Sequence, residues 1–237
     1  MKKFLCLLWA LVIFLSGCMP SSFTAFTINS DGNPVDLSGT EYTVLSSKGK
    51  LSYLGNRKFV GHIQGEARYS QHLFLSYKPG MYALTDSPND NILIRQRPNS
   101  EWFSIYRKSS LPALDVSVDN CVRLEFIPGL ANNMENSAHA TCNEGITDPA
   151  VIAAFLAEVR QQKTPKEAGL YDMIRKPNGL LENCYLYGTI YGFFAEEPNL
   201  VLEMEIYSFN DLAYSVTVDG RQFVLPEAWF QRITQNK

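Results

Sequence analysis

The sequence has 237 residues, of which 46% are hydrophobic and 12% aromatic, and its formal net charge is −3. This aromatic content is typical of a folded chain and argues against intrinsic disorder. The basic residues form no stripe along the sequence, so the charge pattern does not predict nucleic-acid binding. The length suffices for a substantial core in one or two domains.

The N terminus has the features of a secretory signal peptide. Lys2 and Lys3 precede an unbroken apolar run over 4–15, and two small residues follow it. Twelve helical residues cover about 18 Å, which is less than the roughly 30 Å of a bilayer's hydrocarbon core. The pattern therefore predicts a cleaved signal peptide over 1–17 and not a transmembrane helix.

The end of this segment, Leu15-Ser16-Gly17-Cys18, resembles the lipobox of bacterial lipoproteins. The resemblance implies that signal peptidase II cuts before Cys18 and that the sulfur of Cys18 carries a diacylglyceryl group. Two or more acyl chains such as palmitate hold a protein stably, so we expect the lipid bilayer as a partner. Family members retained at the inner membrane commonly carry Asp after the cysteine. Because Met19 stands there, the resemblance favours the outer membrane, facing the periplasm.

Cleavage leaves 220 residues with 19 basic and 24 acidic side chains, a net charge of −5. We expect residues 18–34 to form a lipidated tether and the entry to the fold, with Met19–Ser22 as the tether itself. A β-rich module over 35–110, a connector over 111–146 and an α+β module over 147–237 are expected to follow.

Short apolar and aromatic runs predict strands along the first module. Prolines at 79, 88 and 98 interrupt these runs and disfavour helices, while Asp31-Gly32 predicts a turn before them. The predicted strands cover 41–46, 50–55, 59–63, 72–77, 91–95 and 101–106.

Three cysteines follow the lipidated one in a chain that we expect to be exported, where disulfides form. At most one intramolecular pair is possible, and we predict Cys121–Cys142, which closes a polar loop of 22 residues. Chain entropy assigns such a loop about 3.4 kcal/mol. Cys184 lies in an apolar run and is expected as a buried free thiol; its pairing with Cys121 or Cys142 stays open. The spacing, with His139 the single nearby histidine, does not predict a metal site.

The second module begins with a helix signal. Asp148 can cap a helix that has Pro149 at its first position. Apolar side chains at 151, 152, 155, 156 and 159 form one stripe, so we predict an amphipathic helix near 148–162 that packs on a sheet. An antiparallel meander follows, with a turn at Asp219-Gly220 and a final helix from Pro226. Its predicted strands cover 184–194, 199–207, 213–218 and 222–225.

Two segments 127 residues apart share a glycine pattern. The matching residues are Gly61, Ile63 and Gly65 with Gly188, Ile190 and Gly192; Leu73 and Leu75 with Leu200 and Leu202; and Trp102-Phe103 with Trp229-Phe230. Two explanations stay open: duplication of one β-rich module, or chance similarity between strands that contain glycine. Glycine within a strand often marks a bulge, which explains the pattern without a ligand.

The sequence has none of the common catalytic motifs. We therefore expect an α+β, β-rich fold that acts as a non-catalytic binding, scaffolding or assembly module of the cell envelope, with an envelope protein as partner and no cofactor. A sensor or inhibitor that folds over a partner is a related possibility. The candidates for ligand or partner contact are aromatic: Trp102, Phe103, Tyr106, Trp229 and Phe230.

The alternative is an enzyme that acts on cell-wall or glycan polymers through carboxylate acid/base chemistry. Its candidate residues are Glu66, Glu203 and Glu205. Alternation along 200–207 places Glu203 and Glu205 on one strand face, which we expect to lie in water.

Replacement of the lipidated cysteine tests the anchor. Cys18→Ala should abolish labelling by a radioactive fatty acid and release the protein from membranes, because no sulfur remains to carry the acyl chains. Persistent membrane attachment of this variant would contradict the lipobox interpretation.

The disulfide prediction is tested by two substitutions. Cys121→Ser and Cys142→Ser should lower the free energy of unfolding by similar amounts under oxidising conditions. A thiol reagent should still label Cys184 in the unfolded wild type. If Cys184→Ser alone destabilises the oxidised protein, the predicted pairing is wrong.

Overall fold

The computed structural model describes residues 24–65, 69–72, 75–77, 79–84, 91–96, 103–129, 145–174 and 184–235. Within these ranges the protein is α+β and β-rich, with sheets that are almost entirely antiparallel, as predicted. The strands in chain order are β1 (Thr24–Ile28), β2 (Pro34–Asp36), β3 (Tyr42–Val44), β4 (Lys50–Tyr53), β5 (Arg57–Ile63), β6 (Tyr69–His72), β7 (Leu75–Tyr77), β8 (Gly80–Leu84), β9 (Ile92–Gln96), β10 (Phe103–Lys108), β11 (Arg123–Pro128), β12 (Cys184–Phe193), β13 (Leu200–Phe209), β14 (Ala213–Val218) and β15 (Arg221–Leu225). The helices are α1 (Pro149–Arg160), α2 (Leu170–Met173) and α3 (Glu227–Gln235), and a 3-10 turn covers Val118–Asn120.

The first sheet has the strand order β2-β1-β5-β8-β9-β10-β3. Its pairs are antiparallel except for β1 and β5, which run parallel. A single bridge between Val35 and Glu41 joins the strands at its two ends, so the sheet curls round on itself. Its interior holds a small apolar cluster that includes Phe26, Ile63 and Met81. β6 and β7 form a separate two-stranded hairpin.

The second sheet has the order β11-β12-β13-β14-β15, and β4 joins it from the first half of the chain. β13 pairs with β14 over Ile206–Phe209 and with β4 over Leu200–Glu203, so β4 and β14 lie end to end along one edge of β13. The helices α1 and α3 pack on one face of this sheet. The 35–110 and 111–146 segments thus each contribute a strand, β4 and β11, to the sheet of the second module.

One large core connects both sheets. Ile92, Ile94 and Ile105 on the outer face of the first sheet belong to the same apolar cluster as Phe155 of α1 and Leu202 of β13. All five are at most 4% exposed. The two sheets therefore depend on each other for the burial of their apolar surface.

The predicted helix is confirmed. The Asp148 carboxylate accepts a hydrogen bond from the amide of Ala150 at 2.9 Å, and Pro149 stands at the first turn. The buried side chains are Ile152, Phe155, Leu156 and Val159. The helix ends at Arg160, about half a turn before the predicted end. There the amide of Gln161 donates to the carbonyl of Glu158, three residues back, as in a 3-10 turn.

The segment predicted as the entry to the fold already contains a strand. Residues 24–28 form β1, and β2 (34–36) begins at the predicted boundary between this segment and the first module. The Asp31-Gly32 turn between them is confirmed, with φ of 84° at Gly32 and a hydrogen bond from its amide to the carbonyl of Asn29. β8 and β11 were also not predicted from the sequence.

The two segments of the internal repeat share only one structural feature, a strand bulge. Gly61 and Gly188 both stand where the strand register shifts, so each marks a bulge in its strand. Beyond the bulges the correspondence fails: Phe103 begins a strand, whereas its counterpart Phe230 lies in a helix. Leu75 lies in the separate β6–β7 hairpin, whereas Leu202 lies in the central strand β13. The duplication hypothesis is therefore not supported.

The packing at Gly192 gives a stability prediction. A Cβ atom on Gly192 would lie 2.5 Å from the Sγ atom of Cys121. Under reducing conditions Gly192→Ala should lower the free energy of unfolding by about 1–3 kcal/mol, because the side chain overfills the core. In a Cys121→Ala background, which removes the sulfur, the same change should cost about 1 kcal/mol less. Equal costs in both backgrounds, measured by urea denaturation, would contradict this packing.

Candidate functional site

An open cleft of about 690 Å³ lies at the junction of the two sheets. Four segments form its walls: the loop between β3 and β4, the 3-10 turn with the residues before it, the end of α1, and the β14–β15 turn; Leu202 of β13 adds to its floor. The lining residues are Ser46, Ser47, Lys48, Gly49, Asp115, Val116, Ser117, Val118, Asp119, Arg160, Leu202 and Asp219. We call this feature the polar cleft. Its volume is in the range of ordinary ligand sites.

The walls of the polar cleft follow from local sequence. Asp219 and Gly220 have φ of 51° and 72°, which gives the tight two-residue hairpin turn that Asp-Gly favours. A Cβ on Gly220 would overlap the carbonyl oxygen of Lys48, so the turn lies directly against the β3–β4 loop. This close approach requires glycine and closes one side of the polar cleft.

Arg160 holds two walls of the polar cleft together. Its guanidinium donates to both carboxylate oxygens of Asp119 at 2.7 and 2.9 Å. It also donates to Asp219 Oδ2 at 2.6 and 3.1 Å. We call these three residues the Arg160 cluster. Because a bidentate pair fixes both distance and orientation, the cluster sets the 3-10 turn and the hairpin turn relative to α1.

The charges within the Arg160 cluster reinforce one another. Hydrogen bonds from Arg160 hold the pKa of Asp119 below its usual value, although partial burial opposes the shift. The hydrogen bond to Asp119 likewise raises the pKa of Arg160, with a further contribution from Asp219. Four guanidinium contacts are thus committed within the protein, and the cluster acts as a structural tie.

Other polar groups in the polar cleft face solvent. Lys48 is exposed and makes no side-chain hydrogen bond or ion pair to another described residue. Asp115 is exposed, and its Oδ1 accepts from the amide of Ser117 at 3.1 Å. Val116, Val118 and Leu202, each at most 5% exposed, form an apolar floor. With three carboxylates and two cations, the lining has one excess negative charge.

No group of three or more histidine, cysteine, aspartate or glutamate side chains is placed to hold a metal ion in the described ranges. Chemically, the polar cleft offers hydrogen bonds, charges of both signs and an apolar floor. These groups could contact a ligand that has both polar and apolar parts.

The expectation that Glu203 lies in water is wrong. Its side chain is 2% exposed, and its Oε2 pairs with Lys50 Nζ at 2.7 Å. Glu205 is 25% exposed and pairs with the same ammonium at 3.2 Å. The reason is β4, which places Lys50 directly opposite Glu203 on the edge of β13. Because neighbouring strand residues point to opposite faces, Glu203 and Leu202 face away from each other, and both glutamates lie outside the polar cleft.

These contacts control the titration of Lys50. Burial lowers the pKa of Lys50, but the hydrogen bonds and charges of Glu203 and Glu205 outweigh burial and raise it overall. The ammonium therefore stays charged, and both carboxylates are engaged by a cation. Glu66, the third acid/base candidate, lies outside the described residues.

The four predicted aromatic contacts that the structure describes do not line the polar cleft. Trp229 is buried, and its Nε1 donates to Glu158 at 2.7 Å. Phe230 stacks on Tyr214 with ring centroids 3.6 Å apart. Phe103 meets the ring of Tyr53 edge-on at 5.3 Å. Tyr106 is buried inside the first sheet, and Trp102 lies outside the described residues.

The cysteines are placed as follows. Cys121 is a buried thiol at the end of the 3-10 turn, where burial and the charge of Asp119 raise its pKa to about 12. Its predicted partner, Cys142, lies outside the described residues, so the pairing stays a prediction. Cys184 is half-buried rather than fully buried, and burial raises its pKa.

Sequence reasoning missed the Arg160 cluster. Asp219 was predicted only as a turn residue, and neither Arg160 nor Asp119 was singled out. Arg160 lies 41 positions from Asp119 and 59 positions from Asp219 in the sequence. No local sequence pattern indicates contacts over such separations.

Comparisons with protein families, with curated proteins and with solved structures found no match. Among the residues that the structure describes, none of the helices is long and apolar enough to cross a bilayer.

The bidentate geometry of the Arg160 cluster can be tested with the charge kept. Arg160→Lys should lower the free energy of unfolding by about 1 kcal/mol, because an ammonium cannot reach both carboxylates as a planar fork does. Arg221→Lys is the control, since Arg221 is exposed and lies 6.0 Å from the Phe223 ring without a cleft contact. Equal urea midpoints for the two variants would contradict the structural role of Arg160.

The lowered pKa of Asp119 predicts an acid dependence. A carboxylate with a lowered folded pKa adds stability above its unfolded pKa, near 3.8, and this stability is lost as the pH falls through the folded value. The wild type should therefore lose more stability than Asp119→Asn between about pH 5 and about pH 2. The difference should stay below about 1 kcal/mol, because the Asp119 side chain is 58% exposed. Denaturation curves across this range measure it, and parallel curves would refute it.

Proposed function

We propose that the protein is a lipid-anchored lipoprotein of the cell envelope that acts as a non-catalytic binding, scaffolding or assembly module. Acyl chains on Cys18 hold it to the outer membrane, where it faces the periplasm. The polar cleft receives a segment of an envelope protein partner.

The observation that carries the binding role is the construction of the polar cleft. Its walls come from four separate segments, and Arg160 ties two of them to α1 through four hydrogen bonds of 2.6–3.1 Å. A site held in place before binding loses less conformational freedom when a ligand arrives. Such construction supports recognition by a preformed surface.

The described acid/base candidates, Glu203 and Glu205, give no support to the enzyme alternative. A general acid or base needs access to the substrate and a pKa suited to proton transfer. Glu203 is buried against Lys50, and Glu205 pairs with the same ammonium on the sheet face opposite the polar cleft. Asp119 and Asp219 are engaged by Arg160. These carboxylates serve as ion-pair partners within the protein.

The short tether supports function close to the membrane surface. Cys18 precedes Thr24, the first residue of β1, by six positions. A fully extended chain of this length spans about 20 Å. The anchored domain therefore meets partners at or near the membrane from which it extends.

Fractionation and crosslinking in intact cells test this proposal. The wild type should separate with the outer membrane under lipid-preserving conditions, while Cys18→Ala should not. Crosslinking followed by mass spectrometry should then recover one reproducible envelope protein.

Two matched substitutions locate the contact. Ser46→Trp places a large ring in the polar cleft and should abolish the crosslinks, whereas Ser30→Trp, in the exposed β1–β2 turn, should preserve them. Unchanged crosslinks in Ser46→Trp would contradict binding in the polar cleft. Recovery of only wall polymer would favour the enzyme alternative.

A further inference from the structure

Residues 46–48 of the β3–β4 loop line the polar cleft. Residues 46–48 make no backbone hydrogen bond to other described residues, in contrast to the positions on either side. Leu45 donates to the carbonyl of Ile105 at 2.8 Å, and Lys50 pairs with β13. The Lys48 carbonyl lies against Gly220, so the groups left for a ligand are those of Ser46 and Ser47 and the amide of Lys48. Backbone amides and carbonyls are strong donors and acceptors that bind water or a partner.

The charge of the polar cleft favours a basic ligand. Asp115 uses Oδ1 within its own loop, and its Oδ2 accepts no hydrogen bond from a described residue. Asp219 likewise binds Arg160 through Oδ2 alone. Two carboxylate oxygens are thus open to a ligand, and Lys48 is the cation that is not tied to a carboxylate by hydrogen bonds.

The apolar floor provides a third kind of contact. Val116, Val118 and Leu202 lie beneath the polar rim and belong to the core. Burial of an aliphatic side chain against this floor would be favourable, because it removes apolar surface from water. The floor would not need to rearrange, since core packing already holds its side chains in place.

We propose that the polar cleft binds an extended, basic segment of polypeptide, an inference that rests on the proposed function and names the chemistry of its partner. The backbone of the segment pairs with residues 46–48, in the manner of strand addition to an exposed edge. A lysine or arginine side chain reaches Asp115 and Asp219. An aliphatic neighbour packs on the floor at Val116 and Leu202.

These contacts distinguish a peptide from other envelope polymers. Pairing with the 46–48 backbone needs alternating amide donors and carbonyl acceptors, which a glycan backbone lacks. An acidic polymer would meet a lining with one excess negative charge on a cleaved chain of net charge −5. A basic peptide satisfies both the backbone and the carboxylates.

Defined peptides test the proposal on the full lipidated chain in phosphatidylcholine vesicles, which carry no net charge. The probes are fluorescein-labelled octapeptides of alternating lysine and valine, the same peptide N-methylated at alternate amides, and alternating glutamate and valine. Fluorescence anisotropy should show saturable binding of the lysine peptide. The glutamate and N-methylated peptides should bind at least about tenfold more weakly. Equal binding of the three peptides would overturn the proposal.

A pair of variants with the same charge change locates the binding site. Asp115→Asn should weaken binding of the lysine peptide about fivefold or more, as loss of one charged hydrogen bond predicts. Asp31→Asn, in the exposed β1–β2 turn, should leave it unchanged. If both variants bind equally, the site is not the polar cleft. Because N-methylation acts on the ligand alone, that comparison stands even if Asp115→Asn proves unstable.

The experiments distinguish an error in the proposed peptide ligand from an error in the proposed function. If the lysine peptide does not bind but Ser46→Trp still abolishes crosslinks to an envelope protein, the peptide class is wrong and the binding role stands. If the protein leaves the membrane fraction regardless of Cys18, the anchor fails while peptide binding remains measurable.

Discussion

The pairing of β4 with β13 joins the two sheets and positions the polar cleft. Four residues leave the first sheet and hydrogen-bond to the central strand of the second, with Lys50 opposite Glu203. This crossing brings the outer face of the first sheet onto the core beneath α1. It also positions the β3–β4 loop against the Asp219-Gly220 turn. The polar cleft therefore results from the pairing of β4 with the second sheet.

The Arg160 cluster turns this junction into a defined surface. A loop and two turns meeting in solvent would each sample several positions, because loops hold few buried contacts. One guanidinium fixes two of these elements to the end of a helix that is anchored in the core by four buried apolar side chains. Ion pairs at a protein surface add little stability, so the cluster matters mainly for the geometry of the cleft.

The sequence predicts elements whose signals are local. Asp148-Pro149 and the apolar stripe identified α1, and Asp219-Gly220 identified a hairpin turn. Alternation also placed Leu202 on the core face of β13. The burial of Glu203 could not be predicted, because it depends on Lys50, more than 150 residues away. The Arg160 cluster escaped prediction for the same reason: its contacts exist only once both sheets have assembled.

Amide hydrogen exchange across the β3–β4 loop tests the proposal that the polar cleft is the binding surface of a membrane-anchored module. In purified protein the amides of residues 46–48 should exchange fast, since they make no hydrogen bond to other described residues. In outer-membrane vesicles prepared from cells that contain the partner, exchange at these amides should slow. The exposed turn at Ser30 and Asp31 should exchange equally in both samples. Fast exchange of residues 46–48 in both samples, with protection elsewhere, would contradict binding of the partner in the polar cleft.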